Sequence, residues 1–137
     1  MKRIMGIDYG DARVGVAISD PLGITAQALP TIQNKSKEVL FAELKKYLNE
    51  YNPSVVVIGL PKNMNNSLGF RAEKTFRFRD ELAQICDAEL VLSDERLTTV
   101  IAHKAMNDGN VRGKKRKDAV DSIAAILILQ NYLDSHQ

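Results

Sequence analysis

The sequence predicts an α/β fold with a five-stranded mixed sheet flanked by helices. Three features carry that expectation. Period-two and helical apolar patterns alternate along the chain, tight turns join the first three strands, and helical segments precede strands four and five. The turns make strands one to three an antiparallel meander. Right-handed crossovers then make strands one, four and five parallel. At 137 residues the chain is expected to form a single domain over 1–137, long enough to bury a core.

Ile4, Met5 and Ile7 give strand one its apolar character, and Asp8-Tyr9-Gly10-Asp11 supplies a turn, with Gly10 accepting positive φ and Asp bonding its own backbone. In strand two Val14, Val16 and Ile18 alternate with Arg13, Gly15, Ala17 and Ser19. After the turn Asp20-Pro21-Leu22-Gly23, a third strand is expected over Ile24 to Leu29. Ser36 is a candidate N-cap for a helix with Leu40, Leu44, Tyr47, Leu48 and Tyr51 on one face, ended by Asn52-Pro53.

Strand four, Ser54 to Gly59, is a continuous β-branched run suited to a strand covered on both faces. The loop Leu60 to Ser67 leads to a helix over about Leu68 to Asp87, with Phe78, Leu82 and Ile85 facing the core. Strand five, Glu89 to Ser93, ends in Asp94-Glu95-Arg96, and a short helix is expected over about Leu97 to Met106. Asn110 to Lys117 is basic and aperiodic and reads as a mobile loop. The last helix, about Asp118 to Leu133, is apolar nearly all round and is expected to be buried. Ser122 and Ala124-Ala125 keep one side slim enough for close packing on the sheet.

A hydrophobic fraction of 45% and a charged fraction of 26% are ordinary for a soluble globular protein. No apolar run approaches the roughly 20 residues of a membrane span, and no signal region precedes the first strand. The lone Cys86 excludes an internal disulfide, and together these features predict a cytoplasmic location. The net charge of +2 hides two basic clusters: Arg71, Lys74, Arg77 and Arg79, and Arg112, Lys114, Lys115, Arg116 and Lys117. Glu73, Arg77 and Glu81 are spaced for pairing along one helix, so the first cluster reads partly as helix pairing or a solvated face. The second holds no acids and reads as a phosphate-backbone contact.

The carboxyl ends of parallel strands form the rim where open α/β sheets place their ligands. Asp8 closes strand one, Asp94-Glu95 closes strand five, and Asp121 stands in the apolar last helix. Asp118, three residues before it, is either a helix-start acid or a further ligand. Clustered carboxylates repel unless a cation compensates, and hard oxygen donors suit Mg²⁺ or Mn²⁺. His103 and His136 are isolated, no zinc pattern exists, and no P-loop, HExxH or GxSxG is present. Two ions roughly 4 Å apart can activate water and stabilise the leaving oxygen of a phosphodiester. The residues therefore point to a metal-dependent nuclease acting on nucleic acid, with no membrane association.

Four segments add a resemblance covering essentially the whole chain. They are Gly6-x-Asp8-x-Gly10-x-x-Arg13-x-Gly15-x-Ala17, Gly59-Leu60-Pro61-x-Asn63-Met64, Asp94-Glu95-Arg96-Leu97-Thr98-Thr99, and Asp121 followed by Ala124-Ala125-Ile126-Leu127. In this order they resemble the YqgF (RuvX) family, relatives of RuvC-type Holliday junction resolvases in the ribonuclease H-like superfamily. The resemblance implies a ribonuclease H-like fold, with Asp8, Glu95 and Asp121 as catalytic, metal-binding carboxylates. It further implies maturation of the 5′ end of pre-16S ribosomal RNA, hence ribosome biogenesis, with Holliday junction resolution as the older inference. Asp118 matches the first of two resolvase-like helix aspartates. Asn66 departs from the family pattern, which often has Gly there, but Asn tolerates left-handed φ.

On this reading Asp8 bridges two cations, and Glu95 and Asp121 each complete one shell. Arg13, Arg96 and Lys114, Lys115, Arg116 and Lys117 bind phosphates, while Asn63 and Asn66 position the strand or its sugar. A junction resolvase would work as a two-fold homodimer; a single-strand ribonuclease need not. Two other classes remain open: a non-catalytic nucleic-acid-binding module, and an ATP-handling protein of the actin and sugar-kinase type. The latter needs two lobes around its nucleotide.

Overall fold

The computed structural model describes the backbone of residues 3–60, 70–94 and 113–136, and the side chains of 3–60, 73–93 and 122–136. Within these residues the elements are β1 (Ile4–Tyr9), β2 (Arg13–Ser19), β3 (Ala26–Gln33), α1 (Lys37–Tyr51), β4 (Val55–Leu60), α2 (Phe70–Ala83), β5 (Glu89–Asp94) and α3 (Gly113–Ser135). The expected short helix near 97–106 and the loop after Leu60 lie outside the described residues. The sheet order is β3-β2-β1-β4-β5. The β1–β2 and β2–β3 pairs are antiparallel, and the β1–β4 and β4–β5 pairs are parallel, as the sequence predicts.

Strand alternation divides the apolar residues between two layers. Met5, Ile7, Val14, Val16, Ile18, Val56 and Ile58 form one core with Leu40, Leu44 and Leu48 of α1 and Phe78 and Leu82 of α2. Ala17 packs on the other face with Ala125, Leu129 and Leu133 of α3, against which Ile4 and Ala26 also rest. Helix α3 does not vanish into the core all round; its sheet-facing side is buried, and Ile123, Ile126 and Leu127 are half-buried. No helix among the described residues is long and apolar enough to cross a membrane.

The termini of α1 follow the sequence. Ser36 accepts a hydrogen bond from the Val39 N–H, and Asn52 takes left-handed φ and ψ of 46° and 57° while its N–H closes on the Leu48 carbonyl. In the β2–β3 turn the Asp20 carboxylate accepts the Ile24 and Thr25 N–H groups at 2.7 and 2.9 Å. These bonds, Thr25's foremost, hold its carboxyl below the usual carboxylate range. Gly23 takes φ of 72° there, whereas Gly10 does not adopt the left-handed region expected of it. Glycine is required at position 10 for space: a Cβ would sit 2.5 Å from the Arg13 carbonyl oxygen, which accepts the Gly10 N–H.

Further differences from expectation each have a local cause. Strand β3 runs past Pro30 to Gln33, because the register shifts between Val14 and Val16 and a bulge absorbs the proline, which has no N–H to donate. The bulge changes phase, so that Leu29 and Ile32 both join the α1/α2 core. Helix α2 ends at Ala83, which leaves Ile85 in the following turn and 36% exposed rather than in the core. Helix α3 begins at Gly113, so Lys114 to Lys117 are helical rather than a loop.

The Tyr47 hydroxyl donates to the Pro30 carbonyl at 2.9 Å, tying α1 to the bulge. Burial, with Glu43 nearby, pushes its phenol above the ordinary value. A group raised on folding contributes stability that is complete below its unfolded pKa and lost as pH rises through the folded one. Tyr47→Phe is therefore expected to cost about 1 kcal/mol at neutral pH. Denaturant titrations at neutral and strongly alkaline pH should show that difference shrinking as the parent's phenol ionises.

Candidate active site

The first strand ends at the sheet's carboxyl rim, and Asp8 is its last inward residue on the α3 face. Asp8 is 7% exposed, the one charged residue buried among the described residues. Gly6, two residues earlier on that face, sits directly under α3. A Cβ there would lie 2.7 Å from Leu129 Cβ and 3.1 Å from the Ala125 carbonyl oxygen. The slim side expected of this helix is thus used at Ala125.

The direction of α3 follows from its contacts with β3. Gln130 accepts the Ala26 N–H at 3.0 Å, at the start of β3, whereas the Ser122 hydroxyl lies 3.0 Å from that of Thr31, near its end. Helix α3 therefore runs antiparallel to β1, and residues N-terminal to Ala125 lie toward the Asp8 end. Thr31 stands in the β3 bulge, opposite Gly15, and Gly15 pairs with Asp8. A single cross-strand row thus joins Asp8, Gly15 and the bulge that holds α3 by Ser122. Asp121 is the residue before Ser122 and one turn before Ala125. Its side chain and that of Asp118 lie outside the described residues, as does the whole of Glu95.

Helix α3 starts five residues ahead of Asp118 and carries no acid in its first turn, which removes the helix-start role for that residue. Lys114, Lys115 and Arg116 occupy that turn instead, with Lys117 following. Cations at a helix N-terminus oppose the dipole and add to an already positive end. Asn63, Asn66 and Arg96 lie outside the described residues. Arg13 opens β2 on the α3 face, the Asp8 side of the sheet, and is half-buried.

The β1–β2 turn is held by a residue to which the sequence patterns assigned no role. Asn34 donates its side-chain amide to the Gly10 carbonyl at 2.8 Å and its backbone N–H to the Ala12 carbonyl at 2.9 Å. An Asn just beyond a strand is a common loop residue, so periodicity alone could not mark it. Behind the turn, Tyr9 stacks on Phe78 with ring centroids 4.3 Å apart. Asp8 and Tyr9 thus project to opposite faces of the sheet, one toward α3 and the other toward α2.

As for donors, no group of three His, Cys, Asp or Glu side chains suited to a metal occurs among the described residues. Asp8 places one carboxylate at the rim, and Glu95, Asp118 and Asp121 are the other acids of the candidate set. All are carboxylates, the chemistry that fits Mg²⁺ or Mn²⁺ rather than a soft metal.

The architecture is that of the ribonuclease H-like resolvases. The RuvC of Thermus thermophilus, solved with a Holliday junction substrate, superposes with a TM-score of 0.59 at 14% identity, covering 98% of this chain and 95% of that one. The fowlpox virus Holliday junction resolvase gives 0.56 at 17% identity, covering 97% and 99%. The chain belongs to the RuvX family, described as Holliday junction resolvase, whose family model matches residues 2–135. Relatives named "Putative pre-16S rRNA nuclease" include one from Clostridium tetani, 52% identical over 133 residues, covering 97% of this chain and 96% of the relative. Another, from Acetivibrio thermocellus, is 51% identical over 135 residues with the same coverage.

Proposed function

We propose that the protein is a metal-dependent nuclease that hydrolyses phosphodiester bonds in the precursor of 16S ribosomal RNA, in the cytoplasm, during ribosome biogenesis. The observation that carries this reading is the buried Asp8 at the rim, with α3 held along the same cross-strand row through Ser122 and seated on Gly6 two residues earlier through Ala125. Full-length relatives named for that activity support the substrate. Asp8, Glu95 and Asp121 would hold Mg²⁺ or Mn²⁺, with Asp118 a further candidate ligand. The bound ions supply Lewis acidity to the scissile phosphate and lower the pKa of the attacking water.

The chain's own residues do the rest. Asp8 is buried, so its charge would act at lower dielectric than at the surface. Lys114, Lys115, Arg116 and Lys117, at the positive end of α3, and Arg13 at the β1–β2 turn would neutralise backbone phosphates. Arg96, Asn63 and Asn66 complete the proposed strand contacts. Holliday junction cleavage is the second reading, favoured by the likeness of the fold to two resolvases. It requires a homodimer that presents two sites to two strands.

The test sets precursor ribosomal RNA beside a four-way DNA junction, each incubated with the protein and Mg²⁺. Specific cleavage of the RNA supports the first reading, symmetric nicking of the junction the second, and cutting of neither overturns both. Thermal unfolding provides an independent check on the metal. At 100 times its dissociation constant, Mg²⁺ should add about 2.7 kcal/mol, a shift of several degrees for a domain of this size. An unchanged Tm with both Mg²⁺ and Mn²⁺ would remove the metal from the proposal.

A further inference from the structure

A second basic feature lies on the opposite face of the sheet, at the same rim. A cleft of about 340 Å³ opens between the β1–β2 turn, the start of α1 and helix α2, lined among others by Tyr9, Asp11, Lys37, Lys74, Arg77 and Glu81. Its charges are unevenly matched. The Lys74 ammonium pairs with Asp11 at 3.2 Å and Lys37 with Glu81 at 3.1 Å. The expected Arg77–Glu81 pairing along α2 is therefore replaced by a bond between helices. Arg77 is exposed, and no ion pair to it occurs among the described residues.

Three cations face two carboxylates here, and the surplus charge is a guanidinium, whose planar fork suits a phosphate better than an ammonium does. All three border the β1–β2 turn, with Lys37 at the start of α1, Lys74 in the second turn of α2 and Arg77 following it near the middle of that helix. The pairs to Asp11 and Glu81 are solvent-exposed, so exchanging a carboxylate for a phosphodiester costs little.

We infer that this cleft binds a backbone phosphate of the nucleic-acid strand flanking the cut, with Arg77 as the primary contact and Lys37 and Lys74 beside it. The inference rests on the nuclease reading. The cleft's wall is the turn that closes β1, and its lining residue Tyr9 is adjacent in sequence to Asp8. A strand passing over the end of the sheet reaches both faces, whereas a mononucleotide in the cleft does not. The cleft thus recognises polymer length, extending the footprint beyond the acids.

The test measures dissociation constants for a single-stranded RNA oligonucleotide in EDTA, across a series of salt concentrations. Arg77→Ala and Lys37→Ala should each weaken binding several-fold and lower the log–log salt slope by about 0.7, the loss of one single-strand phosphate contact. Asp11→Asn removes a competing carboxylate and should tighten binding, a gain that a purely structural role would not produce. Lys46→Ala, paired to Glu43 elsewhere on α1, should match the parent. Parent-like affinity and slope in both Arg77→Ala and Lys37→Ala overturn the cleft, as does a parent that does not bind the oligonucleotide. Parent cleavage in Mg²⁺ is read separately. Cleft-dependent binding without cleavage upholds the cleft and removes the nuclease reading, whereas cleavage with cleft-independent binding does the reverse.

Discussion

Asp8→Asn is expected to reduce cleavage by about 10³-fold or more while leaving the fold intact. The amide matches the carboxylate in shape, so the buried position is filled as before. What disappears is the charge that would hold a hard cation. The variant should unfold within a few degrees of the parent in EDTA and lose the Mg²⁺-dependent rise in Tm. Single-turnover cleavage of precursor RNA, run beside the two melting curves, separates these effects. Cleavage at the parent rate, from protein whose activity co-purifies with the chain, would exclude Asp8 from the site.

Gly6→Ala is expected to produce the largest stability loss for its size. The added methyl would start 2.7 Å from Leu129 Cβ and 3.1 Å from the Ala125 carbonyl. Neither atom is the movable end of a flexible side chain. Helix α3 must therefore lift from β1, at a cost of about 1–3 kcal/mol, several degrees in Tm. The same movement shifts the turn of α3 that carries Asp121 relative to Asp8. Cleavage should therefore fall even at temperatures where the variant is fully folded. Unchanged Tm and activity in Gly6→Ala would mean that α3 does not bear on Gly6. Gly10→Ala is a useful comparison, because its clash is with the Arg13 carbonyl within the hairpin and leaves α3 seated.

Much of the architecture was legible because it rests on local periodicity. Val14, Val16 and Ile18 alternate, Leu40, Leu44 and Leu48 repeat at one helical turn, and Ser36 and Asn52 bracket α1 with capping chemistry. Segments whose geometry depends on distant partners are less legible. Pro30 looked like a strand end, yet Tyr47 and Ser122 hold the bulge around it from two other elements. The polar run before Asp118 looked like a loop because it lacks an apolar face. Glu81 had a suitable partner four residues away on its own helix and instead found Lys37, 44 positions distant in the chain.

By itself the sequence determined the alternation of strands and helices, the parallel placement of β1, β4 and β5, and the position of Asp8 at the end of β1 facing the Gly6 side. These follow from backbone sterics and side-chain period, which act over a few residues. Only the tertiary structure decided how closely and in which direction α3 lies on the sheet, because that depends on the absence of a side chain at Gly6 and on contacts across about a hundred residues. It also opened the cleft around Arg77, where charges from the hairpin and two helices meet. No local pattern records which carboxylate a cation will choose when several lie within reach.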